Sequence, residues 1–193
     1  MSPTEISAQE KIILAAIDCI EEEGIQDVTI RSIANKAGVN SAAINYYFRS
    51  KDNLMAMVLE NTAKHFVSDL LEYLNAEGQD MKERIRNMFN YILDGAIRYP
   101  RISLANAYDT LVEKREDTPF ARHIKSLLES MLTAFKAYKP DAKPAELAFL
   151  IVRLVSAVML PSLTPEMFNG FAGLDFRDEH TRRRYVESIV AQL

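Results

Sequence analysis

Between Val28 and Lys51 the chain reads VTIRSIANKAGVNSAAINYYFRSK, with four basic residues (Arg31, Lys36, Arg49, Lys51) and no acidic one. Thr29, Ser32, Asn40, Ser41, Asn45, Tyr46 and Tyr47 are interleaved with them. None of these side chains forms a set suited to breaking covalent bonds. Together they suit a polyanion: cations and hydroxyls for phosphate oxygens, amides for base edges. Asn45 is the candidate for a paired hydrogen bond to adenine. Ala42 and Ala43 are small enough for the backbone to approach base edges or a thymine methyl. Tyr46 and Tyr47 are long enough to reach backbone phosphates. Thr29 is a good N-cap, at a helix start whose free N–H groups also favour a phosphate.

Such side chains need a rigid mount. Ala34, Gly38 and Ile44 follow at intervals of four and six residues. A small residue allows two helices to cross closely. A glycine allows the left-handed turn between them, and a branched aliphatic anchors the second helix to the first. That is the steric pattern of a helix-turn-helix, whose second helix enters the major groove. Ile30, Ile33, Ala34 and Ala37 form the inner face of the first helix, with a turn over 37–40. The second helix, over 40–47, is too short to stand alone. Ile44 and Phe48 pin it, leaving Asn40, Ser41, Ala42, Asn45 and Tyr46 outside. Ser50 is placed to cap the next helix, where Lys51 sits unfavourably against the helix dipole unless an anion is bound.

The overall balance opposes a simple basic-protein reading. The 193-residue chain carries a formal net charge of −4. Residues 1–27 hold seven acids, Glu5 to Asp27, against Lys11 alone. The positive strip is therefore local, and weak non-specific binding is expected. Hydrophobic residues make up 48% and charged residues 26%, a globular balance. Cys19 is the single cysteine, so an internal disulfide or a Cys-rich metal site is excluded. It is expected as a small core residue. The N-terminus is polar with periodic apolar positions, which predicts no signal peptide and a cytoplasmic location. Leu147 to Leu160 is the longest apolar run; Arg153 and Ser156 interrupt it. It is too short to span a bilayer and predicts a buried helix, without membrane association.

Apolar spacing predicts helices throughout: 9–23 ended by a left-handed Gly24, 51–75, 81–99, 102–114, 120–138, 145–160 stopped by Pro161, and 178–193. A mobile arm is expected over 1–8 and an irregular stretch over 161–177. No strand pattern of useful length is present. The fold class is all-α, with a three-helix DNA-binding domain at 1–53 and a helical effector-binding and dimerisation domain at 54–193.

Over residues 29–54 the sequence resembles the TetR family of bacterial one-component regulators. Thr29, Ile33, Ala34, Ala37, Gly38, Val39, Ile44, Tyr47, Phe48, Ser50, Lys51 and Leu54 carry the resemblance. It implies a homodimer on a palindromic double-stranded DNA operator, released by a small-molecule effector. Thr29, Arg31, Tyr47 and Lys51 would then bind phosphates, while Ser41, Ala42, Ala43, Asn45 and Tyr46 face bases. Asn45 stands where the family most often has an aromatic residue, and Ala42 where glycine or a larger residue is common. Both departures bear on operator preference and leave the fold intact.

Within the second domain, Met88, Phe89, Ile92, Tyr108, Phe120, Ile124, Met131, Phe149 and Arg153 are candidate effector-lining residues. Arg153, a charge in an apolar helix, calls for an acidic partner or an anionic ligand. Leu147, Leu150, Ile151, Leu154, Val158, Tyr185 and Ile189 are candidate dimer-interface residues on the last two helices. No cofactor or metal is expected. His65, His123 and His180 lack metal-ligand spacing, and neither a phosphate-binding glycine loop nor a nucleophile elbow is present. Asp109 and Glu113, one helical turn apart, read as a solvated face before a catalytic pair. An enzyme is therefore disfavoured. The competing reading is a helical adaptor for a protein partner, with a vestigial helix-turn-helix.

Overall fold

The computed structural model describes residues 7–193. Every regular element among them is helical: α1 Ala8–Glu23, α2 Ile30–Ala37, α3 Ser41–Phe48, α4 Lys51–Leu74, α5 Met81–Arg98, α6 Pro100–Leu111, α7 Pro119–Tyr138, α8 Pro144–Leu163 and α9 Glu179–Val190. Most of the arm expected over 1–8 lies outside the described residues. Its last two residues are ordered: Ser7 caps α1 in a reciprocal box with Glu10, and Ala8 begins the helix. The Ser7 hydroxyl and backbone N–H hold the Glu10 carboxyl below the usual range.

Contacts divide the described residues into two compact units. The first takes in residues up to Lys64 together with Arg101–Phe120, and the second His65–Pro100 together with Ala121–Leu193. The boundary expected after residue 53 falls inside α4, which is unbroken from Lys51 to Leu74.

In the first unit, Ile12, Ala16, Ile20, Ile33, Ile44, Phe48, Leu54 and Val58 form one core, with Cys19 and Val28 buried among them. Burial pushes the Cys19 thiol above its usual range, as expected of a packing residue. Helix α6 is tied into this unit. The Glu21 carboxylate accepts the N–H groups of Arg101 (3.2 Å) and Ile102 (2.7 Å). The Arg101 guanidinium donates to the Glu22 carbonyl at 2.7 Å, and Asn106 on α6 donates to Thr62 on α4 at 2.9 Å. The carboxylate pair weighed above is solvent-facing: Asp109 accepts from Arg115, and Glu113 is exposed.

In the second unit, Phe89, Met131, Phe135, Leu154, Val158 and Val186 centre a core shared by α4, α5, α7, α8 and α9. Helix α9 is clamped along α5 by Arg86 with Glu187, and by Asp94 with Arg182 and Arg183. Arg182 is buried, and its guanidinium also donates to the carbonyls of Phe176 and Arg177. On α4 and α5, the Tyr91 hydroxyl donates to Asp69 beside the rings of Phe66 and Tyr73. Desolvation, then that carboxylate, hold the Tyr91 hydroxyl far above its usual range.

Two expectations about helix ends are corrected. Gly24 does end α1 and has positive φ, but its ψ of 148° makes it extended and not left-handed helical. That combination is essentially open to glycine alone. Pro161 does not stop α8, which runs to Leu163 with the proline buried inside it. A proline cannot donate to the carbonyl four residues back. That carbonyl belongs to Ala157, and the Tyr185 hydroxyl of α9 donates to it at 2.7 Å. A tertiary bond replaces the helical one and lets the helix continue.

Candidate nucleic-acid interface

Helix α2 is capped by Thr29, whose hydroxyl accepts the Ser32 N–H at 3.0 Å while Ser32 Oγ accepts the Thr29 N–H. The end of α2 is a Schellman turn: Gly38 is left-handed (φ 68°, ψ 32°), and Val39 N–H returns to the Ala34 carbonyl at 3.0 Å. Asn40 then caps α3, its Oδ1 accepting the Ala43 N–H at 2.8 Å. One lone pair of that oxygen is thereby committed to the cap, while its amide N–H groups stay available to a ligand.

Helix α3 has eight residues, and Ile44 and Phe48 are its buried anchors. Ser41, Ala42, Asn45, Tyr46 and Tyr47 are exposed, and Ala43 is half-buried. Tyr46 reaches 71% exposure, with its ring edge-on to Tyr47. Tyr47 is itself exposed, only tilted towards buried Phe48. A short helix with one anchored face thus presents an amide, a hydroxyl, two methyl-sized side chains and two phenols on the other. Every one of these is small or polar enough to enter a groove.

The four cations differ in what holds them. Lys36 forms an ion pair with Glu22 of α1, which partly cancels its charge. Lys51 donates to the Gln26 carbonyl at 3.2 Å, at the start of α4, where Ser50 Oγ accepts the Asn53 N–H. Arg31 is exposed on α2. Arg49 is exposed immediately after α3, with positive φ, and sequence reasoning gave it no role beyond its charge.

The effector candidates fall in different settings. Met88, Phe89 and Met131 are part of its packed core, and Ile92 and Ile124 lie half-buried against it. Phe149, 70% exposed, and Arg153 are on the surface of α8. Tyr108, exposed, and Phe120, half-buried, belong to the first unit. Arg153 needs no buried counter-charge, because it borders an open groove between α8 and α9 with Leu150, Ala157, Tyr185 and Gln192.

The dimer candidates face mostly into their own chain. Leu147, Ile151, Leu154, Val158 and Ile189 are buried in their own chain, and Leu150 and Tyr185 are half-buried against the same core. The unpartnered face of α8 is the opposite one, through Phe149, Val152 and Leu160. For the same reason α8 is not the buried helix expected. It has 20 residues, long and apolar enough to cross a membrane by length and composition, yet only 28% of its most apolar window is buried. Apolar residues occur all round it, and one chain supplies neighbours for one side only. Among the described residues, no group of His, Cys, Asp and Glu could hold a metal.

A helix-turn-helix braced by α1 and α4, with its second helix bare and polar, defines a DNA-binding regulator as a class. The family model of bacterial regulatory proteins of the tetR family matches residues 12–58, the span from α1 into α4. The HTH-type transcriptional regulator BetI of Stenotrophomonas maltophilia is 30% identical over 78 residues, 40% of either chain. The matched segment is thus about two fifths of that relative's length. Across the whole fold the chain is similar to a TetR transcriptional regulator from Legionella pneumophila, with TM-score 0.68, 18% identity and 100% of both chains covered. It is also similar to the transcriptional regulator FadR from Bacillus subtilis, solved in complex with stearoyl-CoA, with TM-score 0.63, 16% identity, and 95% and 98% of the two chains covered. The tetR-family match thus covers the DNA-reading segment, residues 12–58, and the likeness of fold extends over the whole chain.

Proposed function

We propose that this protein is a transcriptional regulator that binds a palindromic operator as a homodimer and releases it on binding a small molecule. The observation that carries the reading is the outer face of α3. Ser41, Ala42, Asn45 and Tyr46 are exposed, while Ile44 and Phe48 hold the helix rigidly from behind. Asn45 and Ser41 would meet base edges, and Thr29, Arg31, Tyr47 and Lys51 would meet phosphates. The Lys51 bond to a neutral carbonyl is long enough to exchange for a phosphate without leaving a buried charge.

The apolar stripe Phe149, Val152 and Leu160 supports self-association, since a self-complementary patch suits a two-fold axis. Two copies would then present their α3 helices to major-groove faces about 34–36 Å apart. The continuity of α4 through both units supports a mechanical link from a ligand to the reader. That link must be worth a few kcal/mol between states to clear an operator. A long acyl thioester is bound by the structurally similar FadR, which makes apolar carboxylic acids and their thioesters the first effector class to screen.

The test is a salt-titrated gel shift on duplexes selected by the protein from a random-sequence library. The expected result is a palindromic site bound at least a thousandfold tighter than scrambled duplex. Binding that ignores sequence at every salt concentration would sink the reading.

A further inference from the structure

We propose that Arg49 is a DNA-contacting residue, held for that purpose in a backbone conformation that costs the fold stability. The proposal rests on the function proposed above. Arg49 has φ 69° and ψ −41°, and the Ser50 N–H donates across it to the Phe48 carbonyl at 2.8 Å. That hydrogen bond closes a three-residue turn of the rare, strained γ type. A non-glycine residue adopts such a conformation only when its surroundings enforce it.

The enforcement is visible on both sides. Phe48 is fully buried, and the Arg49 N–H completes α3 by donating to Asn45 at 3.0 Å. Ser50 caps α4 through its hydroxyl, and its carbonyl accepts the Leu54 N–H at 3.1 Å. The backbone at Arg49 is therefore bonded in both directions, while its guanidinium has no hydrogen bond or ion pair among the described residues. It is exposed at the end of the same eight-residue helix whose outer face carries Asn45 and Tyr46. Glycine would fit this turn without strain. An arginine there gains nothing inside the chain that would offset the cost, so its contribution lies in a partner.

Chemistry narrows the partner. A guanidinium presents a planar fork of donors that matches a phosphate, or the O6 and N7 of guanine, in two parallel bonds. With Lys36 engaged by Glu22, Arg49 and Arg31 are the two strip cations free of a partner among the described residues. Arg49 is the one beside the recognition helix's C-terminal end.

The experiment uses the full chain and three variants, Arg49→Gly, Arg49→Ala and Arg49→Lys, on duplexes selected by the wild type from a random library. Affinity is measured against salt, and Tm without DNA. Arg49→Gly and Arg49→Ala are expected to lose about tenfold or more in affinity, with the salt slope shallower by about one. Arg49→Lys is expected to keep the slope. Arg49→Gly alone is expected to raise Tm, by about 2–4 °C. A charge serving only the C-terminal dipole of α3 would instead lower Tm in both uncharged variants and leave the slope unchanged; that result overturns the proposal. Failure of Arg49→Gly to raise Tm overturns the strain argument. If the wild type selects no duplex, the proposed function itself falls, and this inference with it.

Discussion

At the level of single residues, the helix-turn-helix separates those that hold from those that reach. Ile44 and Phe48 are buried, while Asn45 and Tyr46, which lie between them in sequence, are exposed. A helical repeat of 3.6 residues keeps positions four apart on one face and turns those between them away from it. It follows that Asn45→Ala removes a reading group without touching the core. We expect Asn45→Ala to leave the denaturation midpoint unchanged and to weaken operator binding by about 1–3 kcal/mol, with the loss concentrated at one base pair of the site. Competition titrations with single-base operator variants measure this directly. A uniform loss over all variants would mean that Asn45 contacts the backbone. The outward face of α3 was largely legible in advance because its residues share one short helix, where periodicity alone decides orientation. Asn40 and Lys51 were read less fully. Their side chains reach other parts of the fold, the Ala43 N–H and the Gln26 carbonyl, which spacing does not reveal.

At the level of elements, two helix ends are maintained by groups that the local sequence does not announce. Helix α8 passes through Pro161 because Tyr185, on α9, donates to the carbonyl the proline leaves unbonded. Burial holds the Tyr185 hydroxyl above its usual range, so it remains a donor through neutral pH. We expect Tyr185→Phe to cost about 1–2 kcal/mol by chemical denaturation, since the Ala157 carbonyl is left unpaired. In a Pro161→Ala background the restored N–H can serve Ala157, and the cost of Tyr185→Phe should shrink markedly. Equal costs in both backgrounds would show that the two residues are independent.

Helix α9 begins at Asp178, whose carboxylate accepts the Thr181 N–H at 2.7 Å and hydroxyl at 2.9 Å. Those bonds, the backbone one first, hold its carboxyl below the usual range. A carboxylate with a lowered folded pKa stabilises the fold above its unfolded pKa of about 3.9 and loses that contribution as pH falls through the folded value. Wild type should therefore exceed Asp178→Asn in stability at neutral pH, and the gap should close below about pH 4. Paired melts from pH 7 to pH 3 test this.

At the level of the whole molecule, α8 leaves an apolar stripe uncovered. Phe149, Val152 and Leu160 are each about half or more exposed. Placed on a two-fold axis, these side chains would bury each other, and about 25 cal/mol for each Å² of apolar surface removed from water would favour the pair. Phe149→Glu with Val152→Glu is expected to convert a dimer to a monomer at micromolar concentration in sedimentation velocity. Far-ultraviolet circular dichroism should be preserved, because neither side chain belongs to the buried core. Operator affinity should fall by at least tenfold, since half-sites would be bound one at a time. A wild type that sediments as a monomer would refute the homodimer.

From the amino-acid order alone follow the all-helical class, the position of nearly every helix, and the residues that α3 turns outward. These are local matters: 3.6-residue periodicity, capping side chains three residues from the groups they satisfy, and a glycine where the chain must bend. Which face of α8 is covered, why Pro161 is tolerated, and why Arg182 is buried beside Asp94 were settled only in three dimensions. Each depends on a partner 28 or more residues away in the chain, and helix α8 is apolar on every side. A helix of that kind carries no record in its own sequence of which side its neighbours will take.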